Sequence, residues 1–282
     1  MSVTSESQAN DFEDDTATAQ RAVAAIGIIA AALDGIAKAG PFQPLTPTTT
    51  QRVFLLAYGW FASIVRTSEL IALAHENGLR HECAASSRLV LQHTLALQWL
   101  TEGGEAAADA VEADGERRAH DLEKELTETG WSIPAGFTMQ HPTKPAKGGA
   151  LEHQIDNFKA MCAVYLGGDQ LYVPYRLHSG YAHPSYVGAM AYIIREKGEL
   201  SPTAVTDTHA YLLDTTRCLI QAGHAIATLL VDNHLANEVA KAERHAACSQ
   251  SPATAVQRTP WPQSMTERYL RAILTSLPSR TR

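Results

Sequence analysis

The stretch from Gln51 to Gly78, QRVFLLAYGWFASIVRTSELIALAHENG, decides the fold class. Apolar residues recur along it at three- and four-residue spacing, the period of one buried helix face. Asn77-Gly78 is a natural stop, because glycine readily takes the left-handed backbone that ends a helix. The threonines before Gln51 offer side-chain oxygens to cap its first turn. The next stretch, RHECAASSRLVLQHTLALQWLTEGG (80–104), repeats the helical pattern and stops at Gly103-Gly104. Two such helices joined by a tight turn pack antiparallel.

Working outward, AVAAIGIIAAALDGIAKAG (22–40) is the most apolar early run. Asp34 and Lys38 interrupt it before the roughly 20 apolar residues of a membrane span, so it reads as a buried core helix from about Asp15 to Lys38. The polar, acidic residues 1–10 read as disordered, and they lack the basic start of a secretion signal. EAAADAVEADGERRAHDLEKELTETG (105–130) is charged on most faces and reads as a solvent-exposed helical arm. WSIPAGFTMQHPTKPAKGGA (131–150) is a Pro/Gly-rich loop carrying Lys144 and Lys147, and LEHQIDNFKAMCAVYLGG (151–168) is helical again. Residues 201–247 read as one long helical segment with Ser201 or Thr203 near its start. The tail holds a loop and a short helix at TERYLRAILTSL (266–277). The expected architecture is all-α, an antiparallel helical bundle with extra peripheral helices. One bundle domain spans 11–248, followed by the loop and short C-terminal helix at 249–282.

Composition limits the function classes. The chain has 282 residues, 45 % of them hydrophobic, enough for a sizeable core. Its formal net charge is −7 and its pI about 5.9, so the overall field does not attract nucleic acid, and any RNA contact must be local. The four cysteines (Cys83, Cys162, Cys218, Cys248) are widely spaced. They read as free or buried thiols of a cytoplasmic protein, not as a zinc site or disulfide framework. Glu-x-x-His pairs for a di-iron bundle are absent, as are the phosphate-loop, dinucleotide-binding and nucleophile-elbow motifs. No metal and no cofactor is expected, and no membrane partner.

One stretch departs from this alanine- and leucine-rich background: YRLHSGYAHPS, Tyr175 to Ser185. Pro184 suits the first turn of a helix, which predicts a helix start there with His183 at its N-terminus. Such an end attracts anions and favours neutral imidazole. Arg176 would add a forked cationic donor, and His178, Ser179, Tyr181 and Ser185 a polar shell. The same residues also fit a purely structural role as helix caps and local hydrogen-bond partners. Arg88 and Gln92 share one helix face on SSRLVLQHTLALQWL, whereas Arg88 and His93 diverge by roughly 140° and cannot share a site.

The spacing Arg176-x6-His183 resembles the Rx4–6H signature of the HEPN superfamily, and YRLHSGYAHPS resembles a segment of the HEPN-like DUF5677 family. The Arg88 helix resembles that family's arginine-bearing helix, with Gln92 where an acid is usual and Leu177 where a polar residue is usual. The resemblance covers about residues 50–235. It implies an antiparallel bundle, a homodimer, and in toxin and defence members a metal-independent endoribonuclease. In that case Arg176 and His183 are catalytic, and His178, Ser179, Tyr181, Ser185, Arg88 and Gln92 line the site. It equally implies a non-catalytic version that binds a small anionic ligand, a cognate antitoxin or another partner protein.

Overall fold

The computed structural model describes residues 5–38, 45–131, 144, 148–165, 168–196, 199–202, 209–231 and 234–246, and these are mostly helical. In chain order they form α1 (Ser5–Lys38), α2 (Gln51–Glu76), α3 (Ala84–Glu128), α4 (Ala150–Asp156), α5 (Phe158–Cys162), α6 (Gly168–Ala182) and α7 (Tyr186–Met190). A hairpin of β1 (Ile193–Glu196) and β2 (Glu199–Pro202) follows, then α8 (Ala210–Ala227) and α9 (His234–Ala246). The expected loop at 132–143, Lys147, Cys248 and the C-terminal helix at 266–277 lie outside the described residues.

The apolar stripe of α2 does what its period predicts. Phe54, Phe61, Ile64, Val65 and Ile71 are buried among α1, α3 and α8. Each such burial contributes about 1.5–3 kcal/mol. Thr50 caps the helix by accepting the Val53 N–H at 3.3 Å. At the other end Gly78 stands at φ +77°, with Leu79 N–H bonded to the Ala74 carbonyl at 2.8 Å and Gly78 N–H to that of His75 at 3.1 Å. This paired arrangement closes the helix and turns the chain back into α3. The same closure ends α3: Gly130 lies at φ +75° and Trp131 N–H reaches the Leu126 carbonyl at 2.9 Å.

α8 completes the core. Thr215 lies beside Ser87, Thr94 donates to the Cys218 carbonyl, and Gln221 donates to Gln98, so α8 runs parallel to the first half of α3. It is antiparallel to α2: His209 meets His75 at one end, and Thr46 N–H reaches the Leu229 carbonyl at the other. α1 packs along α9 and α8. From Thr16 to Lys38, α1 is long and apolar enough to cross a membrane by length and composition, yet Ala22, Ala25, Ile26, Ile29 and Leu33 are buried in the protein core.

Several boundaries differ from the sequence reading. α1 begins at Ser5, ahead of Asp15. The third helix does break at Gly104 (φ 55°, ψ −134°), a backbone open to glycine, but the chain re-enters helix at once. The supposed exposed arm beyond it is packed in its first half: Ala107, Ala108 and Ala110 are buried, and so are the ion-paired Asp114 and Arg117. Small alanines, not large apolar residues, allow that approach. The helix expected at 151–168 breaks at Asn157, whose side chain accepts the Lys159 and Ala160 N–H groups and so starts α5. The long segment at 201–247 divides into β2, α8 and α9. The residues after Met190 form a hairpin, with Ile193 paired to Pro202 and Glu196 to Glu199; β-branched Ile193 and Ile194 favour strand over helix.

Cys83, Cys162 and Cys218 are buried and form no disulfide among the described residues. Burial pushes the Cys83 thiol up to about 11 and raises that of Cys218 as well, which leaves both poor nucleophiles.

α8 and α9 pack closely at Gly223, where an added Cβ would lie 2.5 Å from Cγ2 of the fully buried Val239. Gly223→Ala is therefore expected to destabilise the protein by about 1–3 kcal/mol, despite alanine's better helix propensity. Val239→Ala in the same chain should recover part of that loss. Urea denaturation of the two single variants and the double variant checks the coupling, and additive effects would contradict it.

Candidate functional site

Most of the YRLHSGYAHPS segment lies inside α6, which presents two different faces. Leu171, Pro174 and His178 are buried. Tyr172, Arg176 and Ser179 fall at i, i+4 and i+7 on another face, and His183 continues their line just beyond the helix. Pro184 disfavours helical backbone at His183, so α6 stops at Ala182. The polar stretch thus spans the end of α6 and, as expected near Pro184, the start of a new helix, α7, capped by Ser185, which is far shorter than the sequence suggested. The helix that follows, α7, has five residues. Its cap, Ser185, accepts the Gly188 N–H at 3.0 Å and donates to the Gly180 carbonyl. So short a helix adds little dipole, and no anion site arises from it.

His183 is exposed and meets a residue of a different helix. Arg88 of α3 places Nη1 3.2 Å from His183 Nε2 and donates from Nη2 to the Tyr175 hydroxyl at 3.2 Å. Its guanidinium carbon lies 4.9 Å from the Tyr175 ring centre, within cation–π range. Arg88 Nε is buried without a hydrogen-bond partner, so the side chain is held through its two terminal nitrogens. A guanidinium only donates; Nε2 of His183 is therefore the acceptor, and the ring proton sits on Nδ1. Tyr175 is fixed in turn by Phe158 of α5, with ring centres 4.4 Å apart, and by Tyr172, 5.7 Å away.

The other sequence candidates have separate engagements. Arg176 is exposed on the same side as His183 but makes no hydrogen bond to it among the described residues. Ser179 donates back to the Tyr175 carbonyl at 2.7 Å. His178 is 1 % exposed, and burial lowers its pKa to about 4, so it is a neutral core residue beside the Tyr211 ring and not part of an open polar shell. Tyr181 packs edge-on against His81 at 4.5 Å, and burial raises the pKa of its hydroxyl. Gln92 is half-buried one turn after Arg88. His93 is lowered by burial, and the partner of Arg88 is His183.

Sequence reasoning missed Tyr175, which holds Arg88 in place. The signal available was its position one residue before Arg176, but contact across α3 and α6 leaves no trace in local spacing. It also missed a second polar cluster at the same end of the bundle. There His75 Nε2 lies 2.8 Å from His209 Nδ1, and the Tyr211 hydroxyl 3.4 Å from His81 Nδ1. His209, His224 and His234 belong to three places: the start of α8, its last turn, and the start of α9. Among the described residues no group of three or more His, Cys, Asp or Glu side chains is arranged to hold a metal ion.

Arg52, Arg66, Arg117 and Arg118 each pair with at least one carboxylate. Arg88, beside His183, and Arg176 and Lys159, farther along α6 and α5, have no carboxylate partner among the described residues, as is also true of Arg21, Lys38 and Arg244 elsewhere. No family model, no curated protein and no solved structure matches the chain.

Two buried groups in and behind this region titrate in opposite senses. His178 is depressed from about 6.5 when unfolded to about 4 when folded, so its contribution is lost as pH falls through that window. Asp214, buried on α8, is raised by desolvation to about 7 from an ordinary value near 3.8, so its contribution is lost as pH rises through that window. Between about pH 4.5 and 6.5 the two slopes oppose each other, at about 1.4 kcal/mol per pH unit each. Asp214→Asn should leave stability rising with pH across this range, and His178→Phe should leave it falling. Urea midpoints measured from pH 4.5 to 6.5 check both signs.

Proposed function

We propose that this chain is a HEPN-like helical protein that cleaves RNA without a metal, with His183 as the proton-transfer group and Arg88 and Arg176 as phosphate-binding cations. The observation that carries this reading is the contact between Arg88 Nη1 and His183 Nε2, in which Arg88 has no carboxylate partner among the described residues. Support also comes from the resemblance of Arg176-x6-His183 to the HEPN motif.

The chemistry follows from the donor and acceptor roles. A phosphodiester oxygen competes for Arg88 Nη1 and draws it from the imidazole, since a charge-assisted bond to phosphate is the stronger of the two. The Nε2 lone pair is then free to take the proton from a ribose 2′-hydroxyl. The 2′-oxygen bonds to phosphorus and the bond from phosphorus to the 5′-oxygen breaks. That oxygen takes a proton from water, leaving a 2′,3′-cyclic phosphate and a 5′-hydroxyl. Arg88 and Arg176 stabilise the charge that builds on the phosphate oxygens. Within this reading the protein is cytoplasmic and homodimeric, and an antitoxin-like partner would act by covering the site.

A second reading is a non-catalytic module that binds a small anion or a partner at the same residues. The occupied Nε2 favours it, because the Arg88 bond lowers the availability of that lone pair.

The test is incubation of the purified protein with labelled RNA in EDTA, followed by analysis of the product ends. Cyclic phosphate ends are expected, with His183→Ala slowing cleavage by about 10²–10⁴-fold while the melting temperature stays within about 2 °C, as suits an exposed side chain. Stabilisation by RNA or polyphosphate without cleavage would favour the second reading. Intact RNA, or cleavage that His183→Ala leaves unchanged, would overturn the nuclease.

A further inference from the structure

We infer that Tyr172 and Lys159 form a base-stacking subsite for single-stranded RNA, set apart along α6 from the phosphate held at His183. The inference rests on the nuclease reading above and extends it to a part of the surface that the chemistry does not use.

The observations form a continuous chain of contacts. His183 meets Arg88, Arg88 meets Tyr175, and Tyr175 stacks on Tyr172 with the two rings inclined by 23°. Lys159 of α5 then places Nζ 5.8 Å from the Tyr172 ring centre. Tyr172 is half-exposed and Lys159 exposed, whereas Phe158 beneath them is buried and fixes the Tyr175 ring. Tyr175 is already covered by Arg88 and Phe158, whereas Tyr172, partly buried against Tyr175 and the core, otherwise meets the Lys159 side chain, whose displacement opens its ring to a ligand. From Tyr172 to His183 is 11 residues, about 16 Å along a helix axis, so the track suits a short strand and not one nucleotide.

Cations alternating with ring faces are what an unpaired strand recognises. Arginine and lysine follow the phosphates, and the exposed aromatic face accepts a base whatever its identity. An acidic peptide would use the cations but gain little from the ring. Lys159 is a flexible side chain and can move from the Tyr172 face to a phosphate as a base replaces it. On a chain of net charge −7, long-range attraction does not supply affinity, so stacking carries a larger share.

The experiment separates binding from cleavage by using a labelled 2′-deoxy oligoadenylate, which lacks the attacking hydroxyl, and an abasic strand of equal length. Fluorescence anisotropy with the full chain should show the base-bearing strand bound at least about fivefold tighter than the abasic one. Tyr172→Ala should abolish that preference and Tyr172→Phe should keep it. Lys159→Ala should weaken both strands and flatten the salt dependence. The proposal is overturned if the two strands bind equally, if Tyr172→Ala retains the preference, or if polyglutamate displaces both strands as readily as RNA does. Cleavage of RNA by the same preparation is scored separately. Loss of base preference in a non-cleaving protein supports the subsite while sinking the nuclease, and cleavage with unchanged preference in Tyr172→Ala does the reverse.

Discussion

The left-handed backbone at Gly78 is the constraint on which the rest of the arrangement depends. It lets the Leu79 and Gly78 N–H groups satisfy the last carbonyls of α2 while reversing the chain within a few residues. A side chain with a Cβ resists that conformation. The reversal lays α3 against α2 and brings the first turns of α3 to the end of the bundle where α6 finishes. Arg88 lies in the second turn of α3, and for that reason can meet His183 across the seam. The rest of the contact follows from Pro184, which stops α6 before His183 and leaves the imidazole outside the helix.

Much of this was legible in the sequence because it is local. The periodicity of 51–78, the Thr50 cap, the Asn77-Gly78 stop and the glycine break at 103–104 each depend on neighbours within a turn or two. Arg88, Arg176 and His183 stood out equally as polar residues in apolar surroundings. Other features depend on which helices meet. Arg88 and His183 are 95 residues apart, and nothing in the spacing of either joins them. His178 illustrates the reverse error: it sits in a stretch that reads as polar, yet its place on α6 turns it inward beside Leu171 and Pro174. The α6 face decides which of these neighbouring residues is a core residue and which a surface one, and the polarity of the segment alone does not.

The misread boundaries share a physical origin. Residues 105–130 look unable to pack because their apolar positions are alanines; small side chains bury little area each but permit close helix approach. The paired Asp114 and Arg117 then tolerate burial because each has a charged partner. The hairpin after Met190 was hidden by the preceding helical residues, although its two isoleucines already favoured strand.

Electrostatics ties the fold to the site. Farther along α3, Arg52 is surrounded by Glu105, Asp109 and Glu112, which fasten the start of α2 to the resumed helix beyond Gly104. Such exposed pairs add little stability each, but they absorb the charge of the arginine. The α3–α6 seam does the opposite. It aligns Arg88 by an aromatic ring and a hydroxyl, neither of which neutralises it, and leaves Arg176 and Lys159 uncompensated nearby. A cation held in place by a tyrosine keeps its full charge for an external anion, whereas one held by a carboxylate does not. Among the described residues Arg88 donates to two acceptors at this seam, the exposed His183 imidazole and the Tyr175 hydroxyl.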